Sequence, residues 1–365
     1  MANHSRYLTG LQLKNNKLMK NIKFKQLTLL VLLASFLLNA NGLFAQKKEK
    51  EISCIGFYNL ENLFDTIDDP EKKDEDYTPE GKNKWNDKKY QDKLFNMSHV
   101  ISLIGKEGCK EGISILGVCE IENRKVMEDL VAQPALVNRN LQIVHHSSPD
   151  KRGIDVGLLY NPKRFELIES KSFRLNTLRN DGDTLFTRDQ LLVTGLLDKE
   201  KVHVIVNHWP SRSSGEKISR PSRNAAADLA RSICDSLSKA DPSAKILVMG
   251  DLNDDPFNES VKEHFGTKAN ISEMSPEFFY NPWENILAKG YGTLAYRDTW
   301  NLFDQIILSN PLIDKKTDGY KFLTCKIFKK KFMIQQEGRY KGYPKRREGG
   351  YSDHFPVYVY LVRNK

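Results

Sequence analysis

Eight polar residues end or interrupt apolar runs: Asn59, Glu120, His208, Asp251, Asn253, Asp304, Asp353 and His354. In Ile246–Pro256 (ILVMGDLNDDP) the run Ile246 to Met249 reads as a buried strand, and Gly250 begins a turn dense in Asp and Asn. Asp251 and Asn253 alternate around Leu252, so their oxygens can point together into the crevice beyond a sheet's carboxyl ends. Such a pair suits a hard cation or a phosphate, although taken alone the stretch reads equally well as turn chemistry. Glu120 stands at the end of ISILGVC, where packing gives a carboxylate no role, and Glu122 with Asn123 starts or caps the helix that follows. Asn59 closes ISCIGFYNL ahead of Glu61, Asn62 and Asp65; His208 follows VHVIVN as a candidate proton donor. Asp304 interrupts NLFDQIIL, and a buried carboxylate is costly unless paired or ligated, which invites a pairing with His354 of YSDH. Oxygen ligands plus two His, with no Ser or Cys nucleophile, are the equipment of metal-assisted attack of water on a phosphoester.

These residues need strands to carry them, and the chain supplies them at short intervals. Ile52–Leu60, Ile113–Cys119, Leu141–His145, Ile154–Tyr160, Leu167–Phe173, Gln190–Leu197, Val202–Asn207, Asn301–Leu308 and Phe355–Leu361 are all strand-like. Tyr90, Leu94, Met97, Ile101 and Ile104 recur at helical spacing, and Ser222–Lys239 is a second helix rich in Ala and Leu. A short helix is expected over Phe257–Phe265, whereas Asp68–Lys89 reads as an exposed loop and Ser272–Gly292 as irregular. No repeat or low-complexity linker marks a seam, so residues 47–365 read as one domain.

Before it, residues 1–46 carry six basic residues and no acidic one, then the apolar run Leu27–Leu38 and small residues to Ala45. That is the pattern of a secretory signal peptide, with Met19 as an alternative start, and the run is short for a membrane span. Of the formal +9, six charges belong to this leader, which leaves +3 and makes the overall balance weak evidence for nucleic acid. A local cluster from Lys326 to Arg347 could steer a polyanion or an anionic headgroup, and reads equally as a solvated loop. The five cysteines lack metal-ligand spacing; Cys54 and Cys119 lie in apolar runs as small buried hydrophobes.

The ordered set YNLEN, GVCEIEN, RGIDVGLLY, NHWPSR, GDLND, LFDQIIL and YSDHFPV resembles the endonuclease/exonuclease/phosphatase superfamily over Ile52 to Leu361, with NHWPSR and EIEN most similar to secreted bacterial nuclease-like members. The resemblance implies a DNase I-like, four-layer α/β sandwich with two central mixed β-sheets and the site at one rim. It implies that Glu120, with Asn59 and Asp353, holds a divalent ion, most often Mg²⁺, with Mn²⁺ or Ca²⁺ as alternatives. Asp251 and Asn253 would orient water and bind a phosphate oxygen or a second ion. His354, oriented by Asp304, would be general base or phosphate clamp, and His208 would serve the leaving side. The partner of His208 is not clearly matched, Asp155 sitting in a similar place without a clear motif. Arg152, Arg212 and Arg297 are candidate phosphate contacts, also readable as surface salt bridges. The expectation is an exported, monomeric, metal-dependent phosphodiesterase with nucleic acid as substrate. The alternative is a phosphatase or phospholipase of the same fold acting on inositol phosphates or a sphingomyelin-like headgroup. A catalytically silent binding protein fits less well, because it need not retain costly buried charges.

Overall fold

The computed structural model of the chain describes residues 17–26, 28, 49–178, 182–296, 299–334 and 350–364. Residues 17–26 are helical and exposed; the rest of the leader's apolar run lies, apart from Thr28, outside the described residues. No helix among the described residues is long and apolar enough to cross a membrane. Residues Lys50–Asn364 form one compact unit.

In chain order this unit contains β1 (Lys50–Leu63), α1 (Asp87–Leu103), β2 (Ile115–Ile121), α2 (Arg124–Val131), β3 (Gln142–His145) and β4 (Asp155–Tyr160). Then come β5 (Phe165–Phe173), β6 (Gln190–Leu197), β7 (Glu200–His208), α3 (Glu216–Ala240) and β8 (Lys245–Asp251). The short elements β9 (Thr267–Lys268), β10 (Phe279–Tyr280), α4 (Trp283–Leu287), β11 (Leu294–Tyr296) and β12 (Thr299–Asn301) precede β13 (Asp304–Leu308), β14 (Lys321–Ile327) and β15 (Val357–Asn364). A six-stranded sheet runs β14-β15-β1-β2-β4-β3 and a seven-stranded sheet runs β5-β6-β7-β8-β13-β10-β9. Both are mixed: β1 pairs parallel with β2 and β7 with β8, among antiparallel neighbours.

Side-chain periodicity explains the layers. On β8, Leu247 and Met249 pack with Phe57, Ile115, Val206 and Val357 between the sheets. Ile246 and Val248 point the other way, against Ala226, Ala227, Ala230 and Ile233 of α3. A strand covered on both faces must be apolar at every position, which is why the run shows no alternation. The stripe Tyr90, Leu94, Met97 and Ile101 of α1, with Val126, Met127 and Leu130 of α2, covers the outer face of the six-stranded sheet. Helices, sheet, sheet and helix give the four-layer α/β sandwich. Each fully buried aliphatic side chain contributes about 1.5–3 kcal/mol to holding the layers together.

Several expected boundaries move. Helix α3 begins at Glu216, ahead of the expected Ser222, and holds Pro221 inside it. Asp304 does not interrupt a strand; it opens β13, and residues 299–301 belong to the separate β12. The loop ahead of α1 buries Asp74, Asn83 and Trp85, whose indole donates to the Phe64 carbonyl, so it is partly packed. Phe257–Phe265 contains a single π-helical turn, Ser260–His264, and the stretch expected to be irregular contains β10 and α4. All five cysteines are free; burial pushes the Cys54 and Cys119 thiols well up, consistent with inert packing groups.

Candidate active site

Register brings the site together. Parallel pairing sets His208 of β7 opposite Asp251 of β8, and antiparallel pairing sets Asp251 opposite Asp304 of β13. Three chemically active side chains thus lie abreast on adjacent strands of the seven-stranded sheet. The β7–β8 approach here requires Gly250, because a Cβ at that position would sit 2.3 Å from the Asn207 carbonyl oxygen. The six-stranded sheet supplies Asn59 and Glu120 from β1 and β2, and the loop before β15 supplies Asp353 and His354.

Glu120 lies one residue inside β2, not at its end. The ladder breaks between Cys119 and Ile121, and Glu120 takes the left-handed conformation at φ 57°. Such a bulge re-aims a side chain out of the strand's alternation. Glu61, Asn62 and Asn253 also have positive φ, so strained backbone is concentrated around the same cleft. The Asn62 amide donates to Glu120 Oε2 at 2.9 Å, and the Asp353 amide donates to Glu61 at 2.9 Å. Ser352 donates to the Asn59 carbonyl at 2.6 Å and accepts from the His354 amide, which ties the Ser-Asp-His turn to β1.

Asp251 is the hub. Asn59 Nδ2 donates to Asp251 Oδ2 at 3.0 Å and reaches Glu120 Oε1 at 3.5 Å. The Glu61 amide donates to Asn59 Oδ1 at 2.8 Å, which fixes the amide's orientation. Asn59 therefore presents N–H groups, not its oxygen, to the carboxylates; ligation through Oδ1 requires it to turn and give up the Glu61 bond. Asp251 Oδ1 accepts from the Asn253 amide at 2.9 Å, while Asn253 Nδ2 donates to the Trp209 carbonyl at 3.0 Å. Burial pushes the Asp251 carboxyl up to about 6, with His354 opposing and Asp304 and Glu120 adding to the shift.

Two histidines flank Asp251 Oδ2, with His208 Nε2 at 3.8 Å and His354 Nε2 at 3.7 Å. His354 Nδ1 is 2.7 Å from Asp304 Oδ2, so the pairing expected from sequence is present. Burial alone would lower the His354 pKa, but Asp304, Asp251 and Asp353 outweigh it and hold the ring protonated. His208 goes the opposite way: burial pushes it well down, and Arg188, Arg152 and His354 add to the effect. Its Nε2 lies 3.8 Å from Glu120 Oε1, and its Nδ1 has no hydrogen-bond partner among the described residues. Asp155 does not approach it; that carboxylate pairs with His145 at 2.9 Å and accepts from Ser148.

An open cavity of about 890 Å³ is floored by Glu120, His208, Asp251, Asn253 and His354. Arg152 lines it with an exposed guanidinium. Arg212 is turned instead to the scaffold: it binds Asp254 at 2.6 Å, Asn258 and the Asn253 carbonyl, and lies over the Phe303 ring. Arg223 holds the same Asp254 from α3 at 2.8 Å, which makes Asp254 the buried anchor of the Asp251–Asp255 turn. Arg297 lies outside the described residues. So does the part of the basic cluster beyond Ile334; of its described members, Lys326 and Lys330 pair with Glu107 and none lines the cavity.

Two charged groups escaped the sequence reading. Arg188 lines the cavity, and its guanidinium binds Asp150 and the Trp209 carbonyl. Lys93 of α1 is fully buried; desolvation lowers its pKa against the fields of Glu61, Asp353 and Glu120. Neither position has a local signal: Lys93 is one of several lysines in a polar stretch, and Arg188 stands between Thr187 and Asp189 in no recognisable motif.

The donor set fits a divalent cation. Glu120, Asp251 and Asp353 present hard oxygens; desolvation pushes the carboxyls of buried Asp251 and half-buried Asp353 up, and neighbouring carboxylates add to it. Asp251, Asp304 and His354 also bring ligand atoms within 4.8 Å of one another, a second set of donors for a cation, in which the 2.7 Å His354–Asp304 bond already engages two members.

The fold has counterparts in solved structures. A humanized D. rerio TDP2 is 14% identical, with 85% of this chain covering 98% of that one at TM-score 0.54. An endonuclease/exonuclease/phosphatase family protein from Bacteroides thetaiotaomicron is 16% identical, with coverage of 87% and 97% and TM-score 0.53. A mannosyl-6-phosphatase from the same species is 15% identical, with coverage of 85% and 99% and TM-score 0.52. At these identities the likeness shows the fold. A comparison with curated proteins finds no significant match. The family model of the Endonuclease/Exonuclease/phosphatase family matches residues 54–363. The chain belongs to the endonuclease/exonuclease/phosphatase family and is a metal-dependent phosphoester hydrolase.

Proposed function

We propose that the protein is an exported phosphodiesterase that hydrolyses nucleic acid with Mg²⁺. The observation that carries this reading is the cavity, where two buried histidines of opposite charge state flank Asp251 and Arg152 and Arg188 add positive charge at the wall. Glu120, Asp251 and Asp353 would hold the cation, with Asn253 beside them. When bound, the ion neutralises phosphate charge and stabilises the departing oxyanion. Asp251, held by Asn59 and the Asn253 amide between the two histidines, is placed to orient the attacking water. His354, kept cationic by Asp304, clamps a phosphate oxygen, which favours the clamp over the general base among the roles expected for it. Neutral His208 offers one N–H and one lone pair to the leaving side. A D. rerio TDP2 solved with a single-strand DNA product supports nucleic acid as substrate. Export rests on the leader's charge and apolar pattern.

A small phosphomonoester is the second reading, favoured by the mannosyl-6-phosphatase among the structural neighbours. Both are tested by incubating the mature protein with plasmid DNA, RNA, mannose 6-phosphate, inositol phosphates and sphingomyelin, with Mg²⁺ or with EDTA. Nucleic-acid cleavage abolished by EDTA and by His354→Ala is expected. Cleavage that survives either would overturn the site, and turnover of a small phosphoester with nucleic acid untouched would establish the second reading.

A further inference from the structure

One flank of the catalytic cavity is built for something other than phosphate. Leu185, Phe186 and Ile218 line it beside Asp251 and His354. Phe186 is 42% exposed and Ile218 55% exposed, and neither belongs to a core cluster. An exposed aromatic on the wall of a charged cavity gives up burial energy that the core would supply. Its position is nevertheless held by the backbone. The next three residues, Thr187 to Asp189, are buried, and Arg188 is tied to Asp150 at 3.1 Å and to the Trp209 carbonyl at 2.6 Å. Ile218 comes from the first turn of α3, a separate element, so two independent parts of the fold converge on the same flank. The Lys151 ammonium lies 5.1 Å from the Phe186 ring centroid, and Arg152 lines the cavity next to it.

We infer that Leu185, Phe186 and Ile218 form a seat for an unpaired nucleobase adjoining the reacting phosphate. The inference rests on the phosphodiesterase reading and narrows its substrate to nucleic acid that is single-stranded at that point. A ring interleaved with cations matches a nucleotide strand, whose flat apolar bases alternate with phosphates. A base within a duplex has both faces occupied by its neighbours and cannot use the flank. A sugar phosphate gains nothing there, because its hydroxyls would lose water against an apolar wall without hydrogen bonds in return.

Two diesters that release the same p-nitrophenolate separate the possibilities: thymidine 5′-(p-nitrophenyl phosphate) and methyl p-nitrophenyl phosphate. The full mature protein with Mg²⁺ should favour the nucleoside diester by roughly 10-fold in kcat/KM, the size expected of one stacked base. Phe186→Ala should erase that preference while leaving the methyl diester within about 2-fold, and Phe186→Trp should keep it. Equal turnover of both diesters by the unaltered protein, or an equal loss on both in Phe186→Ala, overturns the seat. If neither diester is hydrolysed, the phosphodiesterase reading fails instead, and the seat is then decided by calorimetric titration of thymidine 5′-monophosphate. Weaker binding to Phe186→Ala supports it, and undiminished binding refutes it.

Discussion

His354 and His208 approach the same oxygen of Asp251, at 3.7 Å and 3.8 Å, yet they are driven toward different charge states. Both rings are buried, and burial pushes both toward neutrality. The difference lies in what surrounds them. His354 has a carboxylate bonded to Nδ1 at 2.7 Å and two more nearby, whereas His208 meets Asp251 and Glu120 only at 3.8 Å, has Arg188 and Arg152 opposing them, and leaves its Nδ1 unbonded among the described residues. One residue type at one site therefore supplies a cation and a neutral hydrogen-bonding group together, because nearby carboxylates outweigh desolvation at His354, whereas at His208 desolvation prevails and the neighbouring cations add to it.

That contrast can be broken most severely at its centre. Asp251→Asn removes the charge both rings share, and kcat on a cleaved phosphodiester should fall by roughly 10³-fold or more. The same substitution should raise stability by roughly 1–3 kcal/mol at pH 8, measured by denaturant titration, because it relieves a carboxylate held in an unfavourable place. The sign follows from the carboxyl being pushed up to about 6: its ionisation opposes folding above that pH and ceases to as pH falls through it. A loss of both activity and stability would mean that Asp251 is a structural anchor.

Removing only one side comes next. Asp304→Asn should lower kcat by about 10²-fold and bring the His354 titration, followed by NMR, down toward the ordinary histidine range. An unchanged titration would break the account of why the two rings differ. The rings also predict opposite pH dependences. His354, raised in the fold, contributes stability that is present below about pH 6.5 and is lost as pH rises through its folded value. His208, lowered in the fold, contributes stability present above about pH 6.5 and lost as pH falls toward its folded value. Stability profiles of His354→Gln and His208→Gln should therefore depart from the parent on opposite sides of neutrality.

The smallest effect on catalysis is expected at a third His–Asp pair. Asp155→Asn disturbs His145 and Ser148 and should cost about 1–3 kcal/mol of stability, with kcat changed less than about 2-fold. A selective loss of activity would show that Asp155 acts on His208 after all.

Much of the layered fold was legible in the residues. Ile246 to Met249 is buried on both faces and so is apolar throughout, and the Tyr90–Ile101 stripe keeps the helical period of a half-buried surface. Where local signals misled, longer-range contacts had overridden them. The Ala- and Leu-rich stretch placed the helix start at Ser222, but α3 extends back to Glu216, where Arg223 reaches back to bond the Glu216 carbonyl. Glu120 seemed a strand end because nothing local announces a bulge; the Asn62 amide that receives its carboxylate comes from 58 residues away. Arg212 had the residue type of a phosphate contact, and only the fold shows its donors turned to Asp254 and Asn258.

By itself, the sequence determined which residue types were present at the ends of which apolar runs, and through them the family, the layer pattern and the metal-assisted chemistry. The layer pattern depends on periods of two and 3.6, which the chain carries locally, and the family on the resemblance of its ordered motifs. Tertiary structure alone decided the register that sets His208, Asp251 and Asp304 abreast, the charge states of the two histidines, and the aromatic flank of the cavity. Each of these depends on groups far apart in the chain, and field strength and desolvation follow distance in space, not order in sequence.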